Sequence, residues 1–220
     1  MLKGILFDLD NTLYDEKLYF IEVFREFSNR HNFDLNDFIN VYNSGLRHAS
    51  SDFFGDILKN LGIYSAGYQK ELFELYQTIS CSLSMEPCVL DLLSFIRLKS
   101  LKIGVVTNGV LKVQHNKVKS LGLEKYVDEV VYARKWGSDF EKPHSRPFLN
   151  ALASLDLNKE DVLFIGDDLF TDIKGAMACD IESIWLKTNR RLVADSTELM
   201  LPEIVITSLN QVKQIIKERI

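Results

Sequence analysis

The feature that most constrains this chain is a series of six short, continuous apolar runs. Each run has the length of a strand, and apolar residues fill it without the alternation of a half-exposed strand. The runs are Gly4-Ile5-Leu6-Phe7, Ile103-Gly104-Val105-Val106, Val130-Val131-Tyr132, Val162-Leu163-Phe164-Ile165, Ile184-Trp185-Leu186 and Ile204-Val205-Ile206. Such runs are typical of a parallel sheet that helices cover on both faces.

Helical patterns lie between most of these runs, because apolar residues recur there at the spacing of one helix face. The recurring residues are Val89, Leu92, Leu93 and Ile96 in one segment, Phe148, Leu152 and Leu155 in a second, and Leu209, Val212 and Ile216 in a third. The alternation of strands and helices predicts an α/β fold with a doubly wound, mostly parallel, Rossmann-like sheet.

One long segment interrupts this alternation. Between Leu13 and about Met85 no strand-like run occurs, and the apolar residues follow helical patterns. We therefore expect a helical-bundle cap domain over residues 15–85 and an α/β catalytic core made of residues 1–14 and 86–220. Glycines divide the insert into about four helices, and its aromatic residues are expected to pack against one another rather than to form a ligand site. The glycines are Gly45, Gly55, Gly62 and Gly67, and the aromatic residues are Phe20, Phe24, Phe27, Phe53 and Phe54.

Composition excludes several classes of partner. The chain has 220 residues, of which 26 are basic and 31 acidic, so its formal charge of −5 is opposite to that of a general nucleic-acid binder. The first apolar run reaches Asp8 too early for a signal peptide or a membrane span. Three cysteines cannot all pair within one chain, which is typical of a reducing compartment. We expect a cytoplasmic protein without nucleic-acid or membrane partners.

Ligands of open parallel sheets bind beyond the carboxyl ends of the strands. Polar residues follow three of the apolar runs, and one lysine precedes the helix at Phe148. These residues are Asp8 and Asp10 after the first run, Thr107 and Asn108 after the second, Asp167 and Asp172 after the fourth, and Lys142. Carboxylates gathered at one sheet edge repel each other unless protons or a cation compensate, and a hard divalent cation is the simplest answer. Mg²⁺ prefers oxygen ligands, so the pattern predicts a magnesium site.

The spacing of Asp8 and Asp10 places both on the same side of an extended strand. If the ligand is a phosphate ester, one carboxylate of such a pair can attack phosphorus as a nucleophile and form an aspartyl phosphate. A second carboxylate protonates the leaving oxygen and then activates water. Thr107 and Asn108 are placed to donate hydroxyl, amide and backbone N–H bonds to phosphate oxygens, and Lys142 would supply a positive counter-charge.

These motifs resemble those of the haloacid dehalogenase-like hydrolases, specifically the phosphatases with a helical cap inserted after the first strand. The family's first motif, DxDxT, matches Asp8-Leu9-Asp10-Asn11-Thr12. Its second matches Thr107-Asn108-Gly109, its third matches Lys142-Pro143, and its fourth, GDxxxxD, matches Gly166 to Asp172. The motifs occur in the family's order, and the resemblance covers essentially the whole chain.

The resemblance implies a role for each matched residue. Asp8 would be the nucleophile, Asp10 the general acid and base, and Lys142 the charge-neutralising lysine, while Thr107 and Asn108 would bind the phosphate. Mg²⁺ would be held by Asp8, the backbone carbonyl of Asp10 and Asp167, with Asp172 acting through water or as a supporting partner.

We therefore expect a Mg²⁺-dependent phosphomonoesterase that hydrolyses a small phosphorylated metabolite through an aspartyl-phosphate intermediate. A phosphotransferase or sugar-phosphate mutase, a dehalogenase and a non-hydrolytic phospho-accepting signalling domain are the alternatives. The sequence identifies neither the substrate nor the oligomeric state, so a homodimer stays open. In and beside the insert, Arg47, His48, Tyr14 and Tyr19 are the candidates for facing the substrate.

Overall fold

The sheet of the computed structural model, which describes residues 1–188 and 201–220, has six strands that all run parallel. The strands are β1 (Gly4–Phe7), β2 (Lys102–Thr107), β3 (Glu129–Tyr132), β4 (Val162–Gly166), β5 (Glu182–Leu186) and β6 (Ile204–Ile206). Their order across the sheet is β3-β2-β1-β4-β5-β6. Each strand lies on one of the apolar runs, so the predicted doubly wound α/β fold is confirmed.

Helices lie between β1 and β2, between β2 and β3, between β3 and β4 and between β4 and β5, and one more follows β6. They are α1 (Glu16–His31), α2 (Leu35–Val41), α3 (Arg47–Ala49), α4 (Phe53–Asn60), α5 (Ala66–Thr78), α6 (Pro87–Leu98), α7 (Leu111–Leu121), α8 (Ser145–Leu155), α9 (Lys174–Met177) and α10 (Val212–Lys217). π-Helical turns precede α3 at Tyr42–Leu46 and α9 at Leu169–Ile173. Within the described ranges, no helix is both long and apolar enough to cross a bilayer.

The continuous apolar character of the strands follows from two apolar layers, one on each face of the sheet. Successive residues of β1 alternate between them, because Ile5 belongs to the layer that includes α6, whereas Leu6 belongs to the layer built around Phe148 of α8. Both residues are fully buried. A strand buried on both faces has no position for a polar side chain until it ends, and this places the polar motifs at the strand ends.

The register of the central strands aligns these ends. Phe7, the last residue of β1, lies opposite Val105 of β2 on one side and Ile165 of β4 on the other. The backbone N–H of Asp8 then donates to the carbonyl of Ile165 at 2.9 Å. The loops that follow β1, β2 and β4 therefore meet at one edge of the sheet.

Helices α1 to α5 fill the segment between β1 and α6. Helix α1 begins at Glu16 because the side chain of Asp15 accepts from the backbone N–H of Lys17. The aromatic residues of α1 and α4 pack together, with the ring centroids of Phe20 and Phe53 5.3 Å apart, and both side chains are buried. The prediction that the phenylalanines of this segment form a packed stripe is confirmed.

Two of the four glycines expected to separate these helices lie inside them. Gly45 and Gly62 have positive φ angles of 87° and 69° and mark real breaks. Gly55 lies within α4, where a Cβ would stand 2.1 Å from the Asp52 side chain that caps the helix. Gly67 lies in the first turn of α5. A helix does begin within two residues of Gly55 and of Gly67, but capping side chains start both helices ahead of these glycines.

Candidate active site

A cavity of about 320 Å³ opens at the carboxyl edge of the sheet, between the strand ends and the inserted helices. Every residue predicted for the site lines it: Asp8, Asp10, Thr107, Asn108, Lys142, Asp167 and Asp172. The structure thus brings together groups that the sequence separates by more than 160 positions, since Asp8 and Asp172 line the same cavity.

Asp8 forms a buried ion pair with Lys142. The ammonium Nζ lies 2.5 Å from Asp8 Oδ1 and 2.7 Å from Asp172 Oδ1, and it donates to the carbonyl of Val106 at 2.7 Å. Burial raises the pKa of Asp8 well above its usual range, although Lys142 opposes this shift. Burial would lower the pKa of Lys142, but Asp172 and Asp8 raise it overall, so the lysine carries a fixed positive charge.

The side chain of Asn108 holds the backbone of Lys142 in place. Its Oδ1 accepts from the backbone N–H of Lys142 at 2.8 Å, and its Nδ2 donates to the carbonyl of the same residue at 3.0 Å. The side chain of Asn108 therefore orients the lysine, and its role as a phosphate binder stays a prediction.

Three carboxylates form a cluster suited to a cation. Asp8, Asp167 and Asp172 each offer an oxygen within 4.8 Å of the others. Burial raises the pKa of Asp167 to about 8, and the charges of Asp172 and Asp168 add to this effect. Trp185 fixes the backbone here by donating its ring N–H to the carbonyl of Asp167 at 2.9 Å. One lysine does not balance three acids, so the donor set fits a divalent cation that prefers oxygen ligands.

Asp172 also shapes the loop that carries Asp167. Its Oδ2 accepts from the backbone N–H of Asp168 at 3.2 Å, while its Oδ1 faces Lys142. Asp168 itself accepts from the backbone N–H groups of Phe170 and Thr171 at 2.8 and 3.2 Å. Asp168 therefore caps the π-helical turn Leu169–Ile173.

The carboxylate of Asp10 is bonded to residues of α7 and to Tyr14. Lys117 Nζ lies 2.8 Å from Oδ1 and 2.9 Å from Oδ2, Gln114 donates to Oδ2 at 2.8 Å, and the hydroxyl of Tyr14 donates to Oδ1 at 2.7 Å. Gln114 also donates to the hydroxyl of Thr107 at 2.6 Å. The amide of Gln114 therefore connects the predicted acid and base to the predicted phosphate-binding threonine.

Sequence reasoning missed Gln114 and Lys117. Both are almost fully buried, with 2% and 1% of their surface exposed. The one available signal is their position, because they lie within the stripe of α7 that also carries Val113, Val118 and Leu121. A polar residue in an apolar stripe indicates a buried partner.

Lys117 also contacts Glu16, the first residue of α1. Nζ lies 3.0 Å from Glu16 Oε1, and Arg47 of α3 approaches the same oxygen at 3.5 Å. Burial raises the pKa of Glu16, but Lys117 and Arg47 outweigh it and bring that pKa to about 2. Glu16 is thus ionised at neutral pH and links the core to the inserted helices.

Glu141 and Arg134 form a second unpredicted pair at the cavity. Arg134 binds the carboxylate of Glu141 through two nitrogens, at 2.8 and 3.1 Å. Glu141 also accepts from the backbone N–H of Gly109, in the loop after β2. Because Glu141 directly precedes Lys142, this pair fixes the approach of the lysine to the site.

The candidates for substrate contact in and beside the insert take different positions. Arg47 lines the cavity, and its guanidinium lies 5.3 Å from the ring centroid of Phe20. Tyr14 contacts Asp10. Tyr19 is fully buried and donates to the carbonyl of Tyr76 at 2.6 Å. The side chain of His48 lies outside the described part of the structure.

The chain is similar in sequence to known proteins. Residues 5–186 match the model of a family described as haloacid dehalogenase-like hydrolase. The chain is 28% identical over 228 residues to a glyceraldehyde 3-phosphate phosphatase of Methanocaldococcus jannaschii, an alignment that covers 99% of this chain and 98% of that protein. It is 29% identical over 219 residues to a ribulose-1,5-bisphosphate 5-phosphatase of Halopiger xanaduensis, which covers 90% of this chain and 89% of that protein.

A solved structure has the same fold. The HAD-hydrolase YfnB of Bacillus subtilis, crystallised with magnesium, superposes with a TM-score of 0.76 at 23% identity. The superposition covers 97% of this chain and 98% of that one. The likeness extends over both the sheet and the inserted helices.

Proposed function

The chain belongs to the haloacid dehalogenase-like hydrolases, and we propose that it is a Mg²⁺-dependent phosphomonoesterase that cleaves small phosphorylated metabolites through an aspartyl phosphate on Asp8. The observation that carries this proposal is the arrangement around Asp8. A buried carboxylate meets one fixed ammonium, that of Lys142, and stands in a cluster with Asp167 and Asp172. Such a site attracts a divalent cation and, with it, a phosphate group.

In the first step, an oxygen of Asp8 attacks phosphorus and the bond between phosphorus and the ester oxygen breaks. The leaving oxygen takes a proton from Asp10, so the alcohol departs neutral. Lys142 faces the oxygen of Asp8 at 2.5 Å and stabilises the negative charge that develops on the phosphoryl group. The product of this step is the phosphorylated enzyme and the free alcohol.

In the second step, water attacks the phosphorus and the bond between phosphorus and Asp8 breaks. Asp10, now ionised, accepts the proton of the attacking water. The products are inorganic phosphate and the original carboxylate of Asp8. The hydroxyl of Thr107 accepts from Gln114 at 2.6 Å and donates over a long contact of 3.4 Å to the carbonyl of Asn108, so its proton would turn to a phosphate oxygen in both steps.

Asp8 and Asp167 would hold Mg²⁺ together with the backbone carbonyl of Asp10, and the ion would neutralise phosphate charge and orient the phosphoryl group. Asp172 would support this set, because Lys142 and the backbone of Asp168 already face its two oxygens. Asp8, Asp167 and the carbonyl of Asp10 are thus the proposed direct ligands of the ion, and Asp172 is a supporting residue.

The size of the cavity restricts the substrate. A volume of about 320 Å³ lies at the lower end of the range for small-molecule sites. The two phosphatases named above act on phosphorylated sugars, as their names state. We propose a phosphorylated metabolite of similar size as the substrate class.

The direct test measures phosphate release over a panel of small phosphate esters with Mg²⁺ and with excess chelator. The panel includes glyceraldehyde 3-phosphate and ribulose 1,5-bisphosphate. We expect release with Mg²⁺, none with chelator, and loss of at least about a thousandfold in Asp8→Asn, because the nucleophile is removed. Asp180→Asn is the matched control, since Asp180 is an exposed residue paired with Lys159 on the surface.

Isotope labelling distinguishes hydrolysis from the related activities. In water labelled with heavy oxygen, a phosphatase releases labelled phosphate, whereas a phosphotransferase or mutase moves the phosphoryl group to a hydroxyl without incorporation. A phosphorylated protein that persists without turnover would instead identify a signalling domain. Full activity in excess chelator would contradict the proposed metal dependence.

A further inference from the structure

The carboxylate of Asp10 is held by an unusually complete set of donors. Lys117, Gln114 and Tyr14 supply four contacts of 2.7 to 2.9 Å, two to each oxygen. A carboxylate held by donors in different directions cannot rotate without breaking several bonds. The position of Asp10, in the loop after β1, is therefore set by side chains of α7 and by Tyr14.

Two of these donors come from one face of α7. Gln114 and Lys117 are three residues apart, so their side chains lie one above the other on the helix. The helix is itself anchored to the inserted helices, because Asn116 donates to the hydroxyl of Tyr19 at 2.8 Å and to the carbonyl of Ile79 at 2.6 Å. The donors that hold Asp10 are thus mounted on a rigid element.

Lys117 is the more informative of the two donors. Its side chain is 1% exposed, and its ammonium lies between Asp10 and Glu16. Removing a lysine from water is costly, and buried ion pairs are often no more stabilising than apolar residues of the same volume. A buried lysine bonded to both oxygens of a predicted acid and base points to a role in orienting that residue.

Glu16 explains how Lys117 can keep this position during a reaction. When Asp10 carries the proton that it gives to the leaving group, it offers Lys117 a weaker acceptor. The carboxylate of Glu16, 3.0 Å from Nζ, keeps the buried ammonium paired at that stage. Lys117 therefore has an anionic partner in both halves of the reaction.

We propose that Lys117 is a positioning residue for the general acid and base Asp10, with Glu16 as its second acceptor. The inference rests on the proposed phosphatase activity, but it assigns a function to residues that no motif contains. Lys117 acts through Asp10 and forms no bond to the phosphoryl group. Its loss should reproduce the kinetic pattern of losing Asp10 itself.

That pattern can be recognised from the leaving group. An alkyl phosphate needs a proton on its departing oxygen, whereas p-nitrophenyl phosphate releases a stable phenolate that needs none. The ratio kcat/KM reports the steps up to the departure of the alcohol and is independent of the later hydrolysis of the aspartyl phosphate. A defect in general acid catalysis therefore lowers kcat/KM for alkyl esters much more than for p-nitrophenyl phosphate.

The experiment is a double-mutant cycle of Lys117→Met and Asp10→Asn on the full chain with Mg²⁺. We expect each single variant to lose about a hundredfold or more in kcat/KM for an alkyl phosphate and less than about fivefold for p-nitrophenyl phosphate. We expect Asp10→Asn with Lys117→Met to lose no more than Asp10→Asn alone, because Lys117 acts only through Asp10.

The same set of variants includes a control for loss of folding. Lys117→Met removes the cation that half-buried Asp10 and buried Glu16 share, although Glu16 keeps Arg47 at 3.5 Å, and the double variant also replaces the Asp10 carboxylate. If the single variant does not fold, Lys117→Met is made together with Glu16→Gln, which removes the charge of the second carboxylate that Lys117 contacts. Thermal unfolding and circular dichroism establish that each variant compared has the native structure.

The possible results distinguish the positioning role of Lys117 from the phosphatase activity itself. An equal loss for alkyl and aryl esters, or additive losses in the double variant, would overturn the positioning role while leaving the phosphatase intact. If the wild-type chain cleaves no phosphate ester, the proposed function fails first. Selective, non-additive losses would establish Lys117 as a positioning residue.

Discussion

Lys142 and Asp8 lie 134 positions apart in the sequence, yet the ammonium of one is 2.5 Å from the carboxylate of the other. The contact exists because β2 lies between β3 and β1, so the loop that follows β3 and carries Lys142 reaches Asp8 across the end of β2. Asn108, at that end, bonds to both backbone polar groups of Lys142. The topology of the sheet therefore determines where the positive charge of the site lies.

Replacing this lysine tests its electrostatic role. We expect Lys142→Met to lower kcat for p-nitrophenyl phosphate about 10²- to 10³-fold, the usual effect of removing one charge-stabilising donor. Steady-state kinetics with saturating Mg²⁺ provide the measurement. Lys159→Met, which removes an exposed lysine paired with Asp180, should retain wild-type kcat. A Lys142→Met enzyme within tenfold of wild type would contradict the assigned role.

Magnesium affinity should depend on pH. The pKa of Asp167 is raised to about 8 by burial and by its acidic neighbours, so without metal it is protonated below that pH. Because Mg²⁺ binds the ionised carboxylate, affinity should rise by up to about tenfold per pH unit from about pH 6 to about pH 8 and then level off. Calorimetric titration of Mg²⁺ measures this. Asp167→Asn should bind weakly at every pH, and an affinity that is unchanged over this range would refute the expectation.

The ionised carboxylate of Glu16 should stabilise the folded chain, and this stabilisation should be lost at acid pH. Its pKa is lowered from 4.5 to about 2, so between these values the unfolded chain binds more protons than the folded one. The free energy of unfolding therefore falls as pH drops through this window, by about 3 kcal/mol for this group. Urea unfolding at about pH 5 and about pH 3 should show a smaller loss in Glu16→Gln than in wild type. Glu74→Gln, at an exposed residue, is the control and should lose as much stability as wild type.

Arg47 should affect substrate binding more than chemistry. Its guanidinium lines the cavity, and its one hydrogen bond to a described residue is the long contact of 3.5 Å to Glu16. A charged hydrogen bond contributes about 1.5–3 kcal/mol, so Arg47→Met should raise KM about tenfold or more for a substrate with a second anionic group. The KM of p-nitrophenyl phosphate should change little. Arg25→Met is the control, because Arg25 is exposed and pairs with Glu22. Equal changes in KM for both substrates would exclude contact with a second anion.

The strands and the strand-end motifs could be predicted because each has a local signature. A strand buried on both faces is a short apolar run, and the residue at which it ends is polar, as Asp8 after Phe7 illustrates. Once the parallel order is assumed, these ends must meet. Asp8, Thr107 and Asp167 could therefore be placed at one site from the sequence alone.

The supporting residues have no such signature. The position of Lys117 in the apolar stripe of α7 does not identify its partners, because its contacts depend on the packing of α7 against both Asp10 and Glu16. Glu141 and Arg134 lie in a loop whose path the sequence does not specify. Contacts of this kind depend on how elements pack in three dimensions, and this information is absent from the periodicity of any one segment.

Gly166 is required by the close approach of Asp172 to the end of β4. A Cβ at this position would lie 2.6 Å from Asp172 Cβ and 2.4 Å from its Oδ2. Because the contact includes the base of a buried side chain, Gly166→Ala should displace Asp172 and weaken its pairing with Lys142. We expect a loss of about 1–3 kcal/mol in the free energy of unfolding, together with reduced kcat.

Gly67→Ala provides the comparison for this variant, because the nearest neighbour of a Cβ there is Ser65 Oγ at 3.8 Å. Gly67 lies in the first turn of α5, where alanine should raise the free energy of unfolding by about 0.4–1 kcal/mol and leave kcat unchanged. Urea unfolding and steady-state kinetics of both variants test the pair. If Gly166→Ala were as stable and as active as wild type, Asp172 would not need its observed position, and its role in supporting Lys142 would have to be abandoned.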